Sequence, residues 1–289
     1  MPDETQTTET KEEELKEKSI LVLFRFILVP LVVVGIVVFI IIIFGQMALK
    51  EKSVSDYLYD IRTGSQSERW QAAYHLSNLL ANPKKDYEAQ ARKQIPEMLL
   101  IFQKAKGNDP KIRQYLALAF GRLKDPHAIP ALQDAVNDED SQTVIWSLWA
   151  LGSIGDQKAT PTVLEKLDSS DSGIRSMSAY VLGALGDRKA VPALQGHLDD
   201  AQPEVAWNSA IALARMNNGS GGDVLAKILD RRYLAGFPNM TAENKDELLM
   251  NAIKAAGKLK DAGLRYQIKQ LGSNDPSPRV RDAAMRALQ

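Results

Sequence analysis

The sequence predicts an all-α fold, a solenoid of about seven helix pairs that one transmembrane helix precedes. Two observations predict the solenoid. Pro130, Pro161 and Pro192 recur every 31 residues, and one aspartate and one glycine per unit keep the same step; a fixed period of this kind is typical of stacked repeats. Apolar residues also recur with helical spacing nearly to the end of the chain. A third observation, one long apolar run near the N-terminus, predicts the transmembrane helix.

The first 19 residues predict a disordered acidic tail. Between Met1 and Lys18 the chain carries seven acidic and three basic residues, and almost nothing that could enter a core. Segments of this composition cannot bury enough apolar surface to offset the entropy lost on ordering. Residues 1–19 are therefore expected to stay unfolded.

Residues 20–46 predict the transmembrane helix. From Phe26 to Phe44 the chain runs for 19 residues without a charge, close to the roughly 20 that cross a hydrocarbon core of about 30 Å. Such a β-branched run is a poor helix in water, but lipid leaves its backbone no other way to form hydrogen bonds. Its length and acidic flank argue against a cleaved signal peptide, so an uncleaved anchor is expected.

Basic residues near the two ends of this segment set the expected orientation. Four of them, Arg25 included, lie before the uncharged run and three lie after it, and the side with more basic residues tends to face the cytoplasm. The tail is therefore expected in the cytoplasm and the solenoid outside it, at a bacterial inner membrane.

Residues 53–289 predict the solenoid itself. In the clearest unit, Gly186 to Met216, a first helix places Val191, Leu194 and Leu198 on one face, and a second helix follows after a turn. Each helix is too short to be stable alone in water, so stacking must supply the stability. The repeated aspartate is placed to cap the first helix, and the repeated glycine lies where a missing Cβ would let neighbouring helices approach closely.

The period also aligns the second helices, so that equivalent positions of successive repeats form columns. The residue types in each column predict which columns face the core. Four columns are apolar or small in every unit and are expected to be buried. They are Ile112/Thr143/Ile174/Val205, Leu116/Ser147/Ser178/Ser209, Ala117/Leu148/Ala179/Ala210 and Phe120/Leu151/Leu182/Leu213.

The units GDRKAVPALQGHL…PEVAWNSAIALA and GDQKATPTVL…SGIRSMSAYVLGALGD resemble HEAT repeats, in particular the short HEAT-like repeats of the phycobilisome-lyase type. The resemblance is strongest between Asp109 and Met216. It implies a right-handed α-solenoid whose second helices line the concave face. It specifies the fold and leaves the function open.

Aromatic residues gather in the remaining, more exposed columns of the second helices. A solvated face would ordinarily be polar, whereas Trp and Tyr dominate binding hot spots. The sequence therefore predicts a partner-binding face, and the alternative is that adjacent second helices bury these rings against each other. The candidate residues are Trp70, Tyr74, Tyr115, Trp146, Trp149, Tyr180 and Trp207.

An insertion between Arg231 and Asp246 breaks the period and is the second candidate site. Insertions in repeat proteins often lie on a binding face, and Arg231, Arg232, Tyr233 and Phe237 could contact a partner. The alternative is a packed or flexible surface loop, which solenoids tolerate.

Composition and motifs argue against catalysis. The chain has no Cys, which removes disulfides, thiolate metal sites and cysteine nucleophiles together. No phosphate-binding loop, serine-nucleophile motif or H-E-x-x-H zinc motif occurs, and the three histidines lie far apart. The 36 basic residues are balanced by 36 acidic ones, without the basic stripe that nucleic acid needs. We expect no enzyme activity, no cofactor, no metal and no nucleic-acid partner.

Together these features predict a membrane-anchored scaffold or assembly factor that binds another protein, itself membrane-associated. The alternative, implied by the phycobilisome-lyase resemblance, is a bilin lyase-like or chromophore-handling protein, although no residue here matches a lyase site. Because the last helix has no obvious polar cap, association between copies of the chain through the C-terminal end is a further option.

Overall fold

The computed structural model describes residues 22, 24, 28–48, 52–81 and 86–289. Contacts divide the chain between Lys52 and Ser53 into two units. Across these described ranges the secondary structure consists of seventeen α-helices and short 3₁₀ turns, without strands. The prediction of an all-α solenoid is therefore confirmed.

The first unit contributes one described helix, α1 (Val29–Ala48), of 20 residues. Every side chain described from Leu28 to Ile42 is exposed. Among the residues with described placement, no helix was found that is both long and apolar enough to cross a bilayer, so the structure does not support the predicted span over residues 20–46. The predicted tail over residues 1–19 lies outside the described residues.

The second unit, Ser53–Gln289, is built from seven helix pairs. Each pair consists of a first helix and a second helix, and the second is the longer in every pair but the last. The first helices are α2 (Val54–Thr63), α4 (Tyr87–Lys93) with α5 (Ile95–Lys104), α7 (Ile129–Ala135), α9 (Thr160–Lys166), α11 (Val191–Gly196), α13 (Gly222–Ile228) with α14 (Arg231–Ala235), and α16 (Ala262–Asn274). The second helices are α3 (Gln66–Leu79), α6 (Pro110–Leu123), α8 (Ser141–Ile154), α10 (Ser172–Leu185), α12 (Pro203–Arg215), α15 (Ala242–Ala256) and α17 (Pro278–Ala287).

Each second helix packs on the second helix of the next pair, from α3 through α6, α8, α10, α12 and α15 to α17. The four predicted core columns are buried throughout. Their serines are buried as well, and Ser178 donates its hydroxyl to the Ile174 carbonyl one turn earlier, at 2.8 Å. The period of the sequence therefore supplies the correct register for the core.

The repeated aspartates cap the start of the first helices. Asp125, Asp156 and Asp187 each accept the backbone N–H of the residue two positions later, which closes a 3₁₀ turn ahead of α7, α9 and α11. The repeated proline then occupies the second position of each first helix, where its missing N–H costs no helical hydrogen bond.

The repeated glycines permit close contact between second helices. A Cβ on Gly183 would lie 2.7 Å from the Cβ of Ala212 and 2.8 Å from its Cα, both on the neighbouring helix. Real side chains do not approach a backbone this closely, so any larger residue would force α10 and α12 apart.

Arginines at the fourth position of some second helices pair with aspartates of the following unit. Arg175 forms two hydrogen bonds with the Asp200 carboxylate, both of 2.9 Å. Arg113, only 1% exposed, lies 3.0 Å from Asp138 and over the ring of Phe102 at 4.5 Å. These two ion pairs each tie one unit to the following one, at positions that are 62 residues, or two periods, apart.

Two short helices depart from the predicted pattern. The sequence indicates one helix from Asp223 to Leu234, but α13 ends at Ile228 and a new helix, α14, begins at Arg231. Asp230 causes the break, because its side chain accepts the N–H of Arg232 and caps the new helix. The predicted insertion loop is thus partly helical, and α4 is likewise an unpredicted helix ahead of α5.

The buried residues form two clusters that meet at α12. One cluster extends from Val54 to Met216, and the other from Trp207 to Ala284. Leu213 of α12 belongs to the first cluster and Ile211 to the second. Helix α12 therefore joins the regular middle of the solenoid to its C-terminal part.

Candidate protein-binding face

The candidate face runs along α3, α6, α8, α10 and α12, at the fifth, sixth, ninth and thirteenth residues of each helix, which we call the outward positions. On α12, two of these residues, Trp207 and Ile211, are buried. None of the twenty residues at these positions is acidic. They are Trp70, Gln71, Tyr74, Asn78, Gln114, Tyr115, Leu118, Arg122, Ile145, Trp146, Trp149, Ser153, Ser176, Met177, Tyr180, Ala184, Trp207, Asn208, Ile211 and Arg215.

Three aromatic rings form the end of this face on α3 and α6. Tyr74 is 41% exposed, and its ring meets that of the half-buried Tyr115 edge to face, with centroids 5.3 Å apart. The exposed His75 ring lies against Tyr74 at 5.4 Å. Since edge-to-face pairs hold rings in a fixed geometry, this end presents a rigid aromatic surface.

Two tryptophans lie at the centre of the face, on α8. Trp146 and Trp149 are both half-buried, with ring centroids 6.4 Å apart in an edge-to-face arrangement. Trp149 lies so close to Gly121 of α6 that a Cβ there would be 2.5 Å from its ring. Its inner edge therefore packs between repeats, while the rest of the ring stays accessible.

Cationic side chains flank the aromatic rings on both sides. Arg215 of α12 lies over the ring of Tyr180 at 5.5 Å, and Lys111 of α6 lies over Trp70 at 4.4 Å. Tyr180 itself is 38% exposed. Neither cation was singled out from the sequence, because a ring one repeat away gives no local signal of such a contact.

Trp207, the last member of the predicted set, is not on the open surface. It is 3% exposed, and its indole N–H donates to the Tyr233 hydroxyl at 3.2 Å. The Phe237 ring meets it edge to face at 4.9 Å. Helix α14 and the turn after it cover this position, so the predicted exposure of Trp207 is corrected. The open "aromatic face" consists of Tyr74, Tyr115, Trp146, Trp149 and Tyr180.

The insertion is held in place mainly by the polar contacts of one arginine, Arg231. Arg231 forms hydrogen bonds with Asp275 at 2.9 and 2.7 Å and an ion pair with Asp246 at 2.6 Å. The hydrogen bonds to Asp275 raise the pKa of Arg231 above its ordinary value. Arg231, the first residue of α14, thus links Asp246 on α15 to the turn before α17. Of the four predicted insertion residues, only Arg232 is fully exposed.

Polar groups at the edge of the face are held by neighbouring repeats. The Gln114 side-chain amide donates to the Asp140 carboxylate at 2.8 Å. Burial alone would raise the pKa of Asp140, but hydrogen bonds from Gln114 and Thr143 outweigh it and hold that pKa below its ordinary value. Arg122 donates to the Ser77 carbonyl, and its burial lowers the pKa of the guanidinium. The edge of the face is therefore fixed by bonds within the chain.

Histidines and acidic residues of the described chain form local pairs. In the part of the chain with assigned positions, no group of three His, Cys, Asp or Glu side chains could hold a metal ion. His127 bonds to Asp125 at 2.7 Å, and His197 lies 3.4 Å from Asp168. Each histidine is thus engaged locally within its own part of the solenoid.

Comparison with known proteins agrees with this architecture. Residues 98–179 and 160–234 match the family model of HEAT repeats. No curated protein matches the chain in sequence. The matched residues are thus similar to HEAT repeats and span the regular middle of the solenoid.

Solved structures to which the chain is similar include natural and designed repeat proteins. The complex of CpcE and CpcF of phycocyanin lyase from Nostoc sp. PCC7120 is 17% identical with a TM-score of 0.56, over 82% of this chain and 96% of that one. An archaeal HEAT-like repeat protein from Thermococcus onnurineus NA1 is 17% identical with a TM-score of 0.42, over 74% and 95%. A designed armadillo repeat protein in complex with the peptide (KR)4 is 15% identical with a TM-score of 0.46, over 82% and 98%. The likeness to the Nostoc complex supports the α-solenoid fold, and the match to the HEAT-repeat model covers residues 98–234 of it.

Proposed function

We propose that the chain is a non-catalytic scaffold or assembly factor whose aromatic face binds another protein. The observation that carries this proposal is the set of five accessible or half-accessible rings on four successive second helices, without an acidic residue among the outward positions. A contiguous apolar patch of this kind on a protein surface is typical of an interaction site.

The rigidity of the face favours binding. Trp149 is seated on Gly121, and Tyr74 is held by Tyr115. Because these rings are already ordered, a partner gains their contact area without the entropy cost of fixing them. Trp and Tyr are also the residues that most often carry binding energy in interfaces.

The proposal extends to the membrane. The stretch from Phe26 to Phe44 has no charge, and the described side chains of α1 are exposed and apolar. Lipid would remove this surface from water, and an anchor over residues 20–46 would raise the effective concentration of the aromatic face near membrane-associated partners. The distribution of basic residues favours a bacterial inner membrane, with the solenoid outside the cytoplasm.

Protease accessibility in intact spheroplasts tests this placement. External protease should digest the solenoid and leave a fragment that carries the N-terminal tail. Protection of the solenoid in intact spheroplasts would reverse the orientation, and recovery of the protein in the soluble fraction would refute the anchor.

The binding function is tested by substitution on the aromatic face. Trp146→Ala with Trp149→Ala removes both central rings, and we expect the partner recovered by crosslinking in the native membrane to be lost. Tyr59→Ala with Tyr266→Ala is the matched control, because these rings are 59% and 64% exposed on first helices, away from the aromatic face.

A second variant separates binding from folding. Tyr74→Ala with Tyr180→Ala removes the two most exposed rings of the face and disturbs little of the core. It should lower the recovery of the partner while the thermal unfolding midpoint stays close to that of the wild type. Full recovery of every partner by both face variants would contradict the proposal.

The alternative function is chromophore handling, and the likeness to the CpcE–CpcF complex is the observation that favours it. Half-buried aromatic rings could also stack on a planar tetrapyrrole. Co-expression with a bilin tests this alternative: a coloured or fluorescent adduct would support it, whereas a colourless protein that recovers a protein partner would support the scaffold.

A further inference from the structure

A second surface, separate from the aromatic face, lies at the C-terminal end of the solenoid. It is a groove of about 630 Å³ between α15 and α17. The two helices meet at one end, where a Cβ on Gly257 would lie 2.9 Å from the Cβ of Ala287. Away from that contact the helices leave an open cleft, and its walls carry Met250 and Ala283.

Basic side chains surround this cleft. Lys254, Lys258, Arg279 and Arg286 line it, and Asp282 is the one acidic residue in the lining. The cleft therefore has a formal charge of +3, from four cations and one anion. In the earlier repeats the outward positions of the second helices carry aromatic rings. In the last two repeats the same side of the second helices carries basic side chains instead.

Most of this positive charge is not neutralised within the protein. Lys254 and Lys258 are exposed and form no ion pair with any residue the structure describes. Arg279 lies 3.8 Å from Glu243, with both side chains more than half exposed. Arg286 pairs with Asp282 at 2.8 Å, one turn earlier on its own helix. Exposed pairs of this type contribute little, so their cations stay available to an anionic ligand.

The shape of the cleft distinguishes between anionic ligands. A flat bilayer surface can touch the raised lysines and arginines but cannot reach the apolar walls at Met250 and Ala283. A peptide can enter the cleft, with its apolar side chains on these walls and its carboxylates opposite the basic rim. Charge complementarity of this kind sets specificity and speeds association.

We propose that the groove between α15 and α17 binds an acidic peptide segment, with interspersed apolar residues, from a partner protein. This site is independent of the proposed function of the aromatic face, because it lies in different repeats and uses different chemistry. The two sites could hold two partners, or two segments of one partner, on a single solenoid.

The test uses the full chain in detergent micelles and a fluorescein-labelled 12-residue peptide of Glu and Leu. A peptide with Lys in place of each Glu is the ligand control. We expect the acidic peptide to bind with an affinity that weakens as salt rises, since the rim charges are exposed. Lys254→Glu with Lys258→Glu should weaken that binding at least about tenfold, which corresponds to about 1.4 kcal/mol.

The matched control variant is Lys158→Glu with Lys189→Glu, which makes the same charge change at exposed lysines of two 3₁₀ turns. It should keep the affinity of the wild type. Equal binding of the acidic and basic peptides would overturn the proposal, as would absence of binding or equal loss in both double variants. Binding to anionic phosphatidylserine vesicles that the Lys254/Lys258 variant abolishes, with peptide binding unchanged, would assign the basic rim to the membrane and also overturn it. Neither result depends on the aromatic face.

Discussion

In the middle of the solenoid, α8, α10 and α12 meet directly, with a glycine of one helix against the next. In the C-terminal part, α12 still packs on α15, but the chain between them adds helix α14, and Ile253 stands where the middle repeats have glycine. The middle repeats are joined by close backbone approach and by the Arg175–Asp200 pair. The C-terminal part is joined by the Trp207 cluster and by Arg231. Helix pairs of this chain therefore stack in two ways. In the middle repeats glycine lets the backbones approach closely, and in the C-terminal part large side chains fill the space between the helices.

This difference extends to the surface. Where second helices touch closely, their outward positions carry rings without acidic neighbours. Where the inserted helix changes the packing, Tyr233 and Phe237 cover the ring of Trp207, and α15 and α17 leave a basic cleft beyond it. The aromatic face is therefore open along the regularly stacked repeats, and it ends where the insertion covers Trp207.

The largest expected effect is at Trp207, which joins the two parts. Trp207→Ala removes a buried ring from the contact with Tyr233 and Phe237, and we expect a loss of about 4 kcal/mol in the free energy of unfolding. Trp146→Ala, at a half-buried ring on the open face, should cost clearly less. Urea unfolding followed by circular dichroism measures both, and equal losses would contradict the placement of Trp207 inside the core.

The next effect is expected at the arginine of the insertion. Arg231→Ala leaves the Asp275 carboxylate, whose side chain is 0% exposed, without its charged partner. Because an unpaired buried charge is costly, we expect a loss of about 3 kcal/mol in the same measurement. The adjacent Arg232→Ala is the control, since this side chain is 92% exposed and should leave stability unchanged. Similar behaviour of the two variants would refute the structural role of Arg231.

A smaller effect is expected from one methyl group in the middle repeats. Ala is the better helix former and would ordinarily stabilise a helix relative to Gly. Gly183→Ala should nevertheless lower the free energy of unfolding by about 2 kcal/mol, because the new Cβ meets the backbone of Ala212. Gly196→Ala, where a Cβ meets nothing within 4 Å, should be neutral or stabilising. A stable Gly183→Ala protein would show that α10 and α12 are not in backbone contact.

The smallest expected effect is a pH-dependent loss of stability at Asp200. Hydrogen bonds from Arg175 hold the pKa of Asp200 below its ordinary value. A carboxyl with a lowered folded-state pKa contributes stability above its unfolded pKa of about 4 and loses it as the pH falls through the folded value. Asp200→Asn should therefore cost about 1.5 kcal/mol at pH 7 and progressively less below pH 4. Asp199→Asn, at an exposed neighbour, is the control, and a pH-independent cost at Asp200 would contradict the ion-pair account.

The regular part of the fold was predictable because equivalent residues recur at a fixed step in the sequence. A fixed step aligns Ile112 with Thr143, Ile174 and Val205, and all four are buried. Even a polar residue such as Thr143 could be placed in the core, because its column is apolar in the other repeats. The glycine contacts were predictable for the same reason.

The structure of the insertion and the exposure of the aromatic face were only partly predictable. Both depend on contacts with residues that do not recur in the 31-residue repeat. Trp207 follows the same spacing as Trp146, yet the burial of its ring is decided by Tyr233 and Phe237, which have no counterparts in other repeats. The break at Asp230 did have a signal: an aspartate two residues before the amide that it caps, as at Asp125, Asp156 and Asp187. The basic groove had no such signal, since it arises from the pairing of two helices.

The most direct test of the central claim is site-specific photo-crosslinking in the native membrane. A benzophenone amino acid at Tyr180, on the aromatic face, is compared with one at Tyr266, which is more exposed but lies on first helix α16. We predict a discrete crosslinked protein with the probe at Tyr180 and none at Tyr266. Crosslinking only from Tyr266, or equally from both positions, would contradict a binding function for the aromatic face.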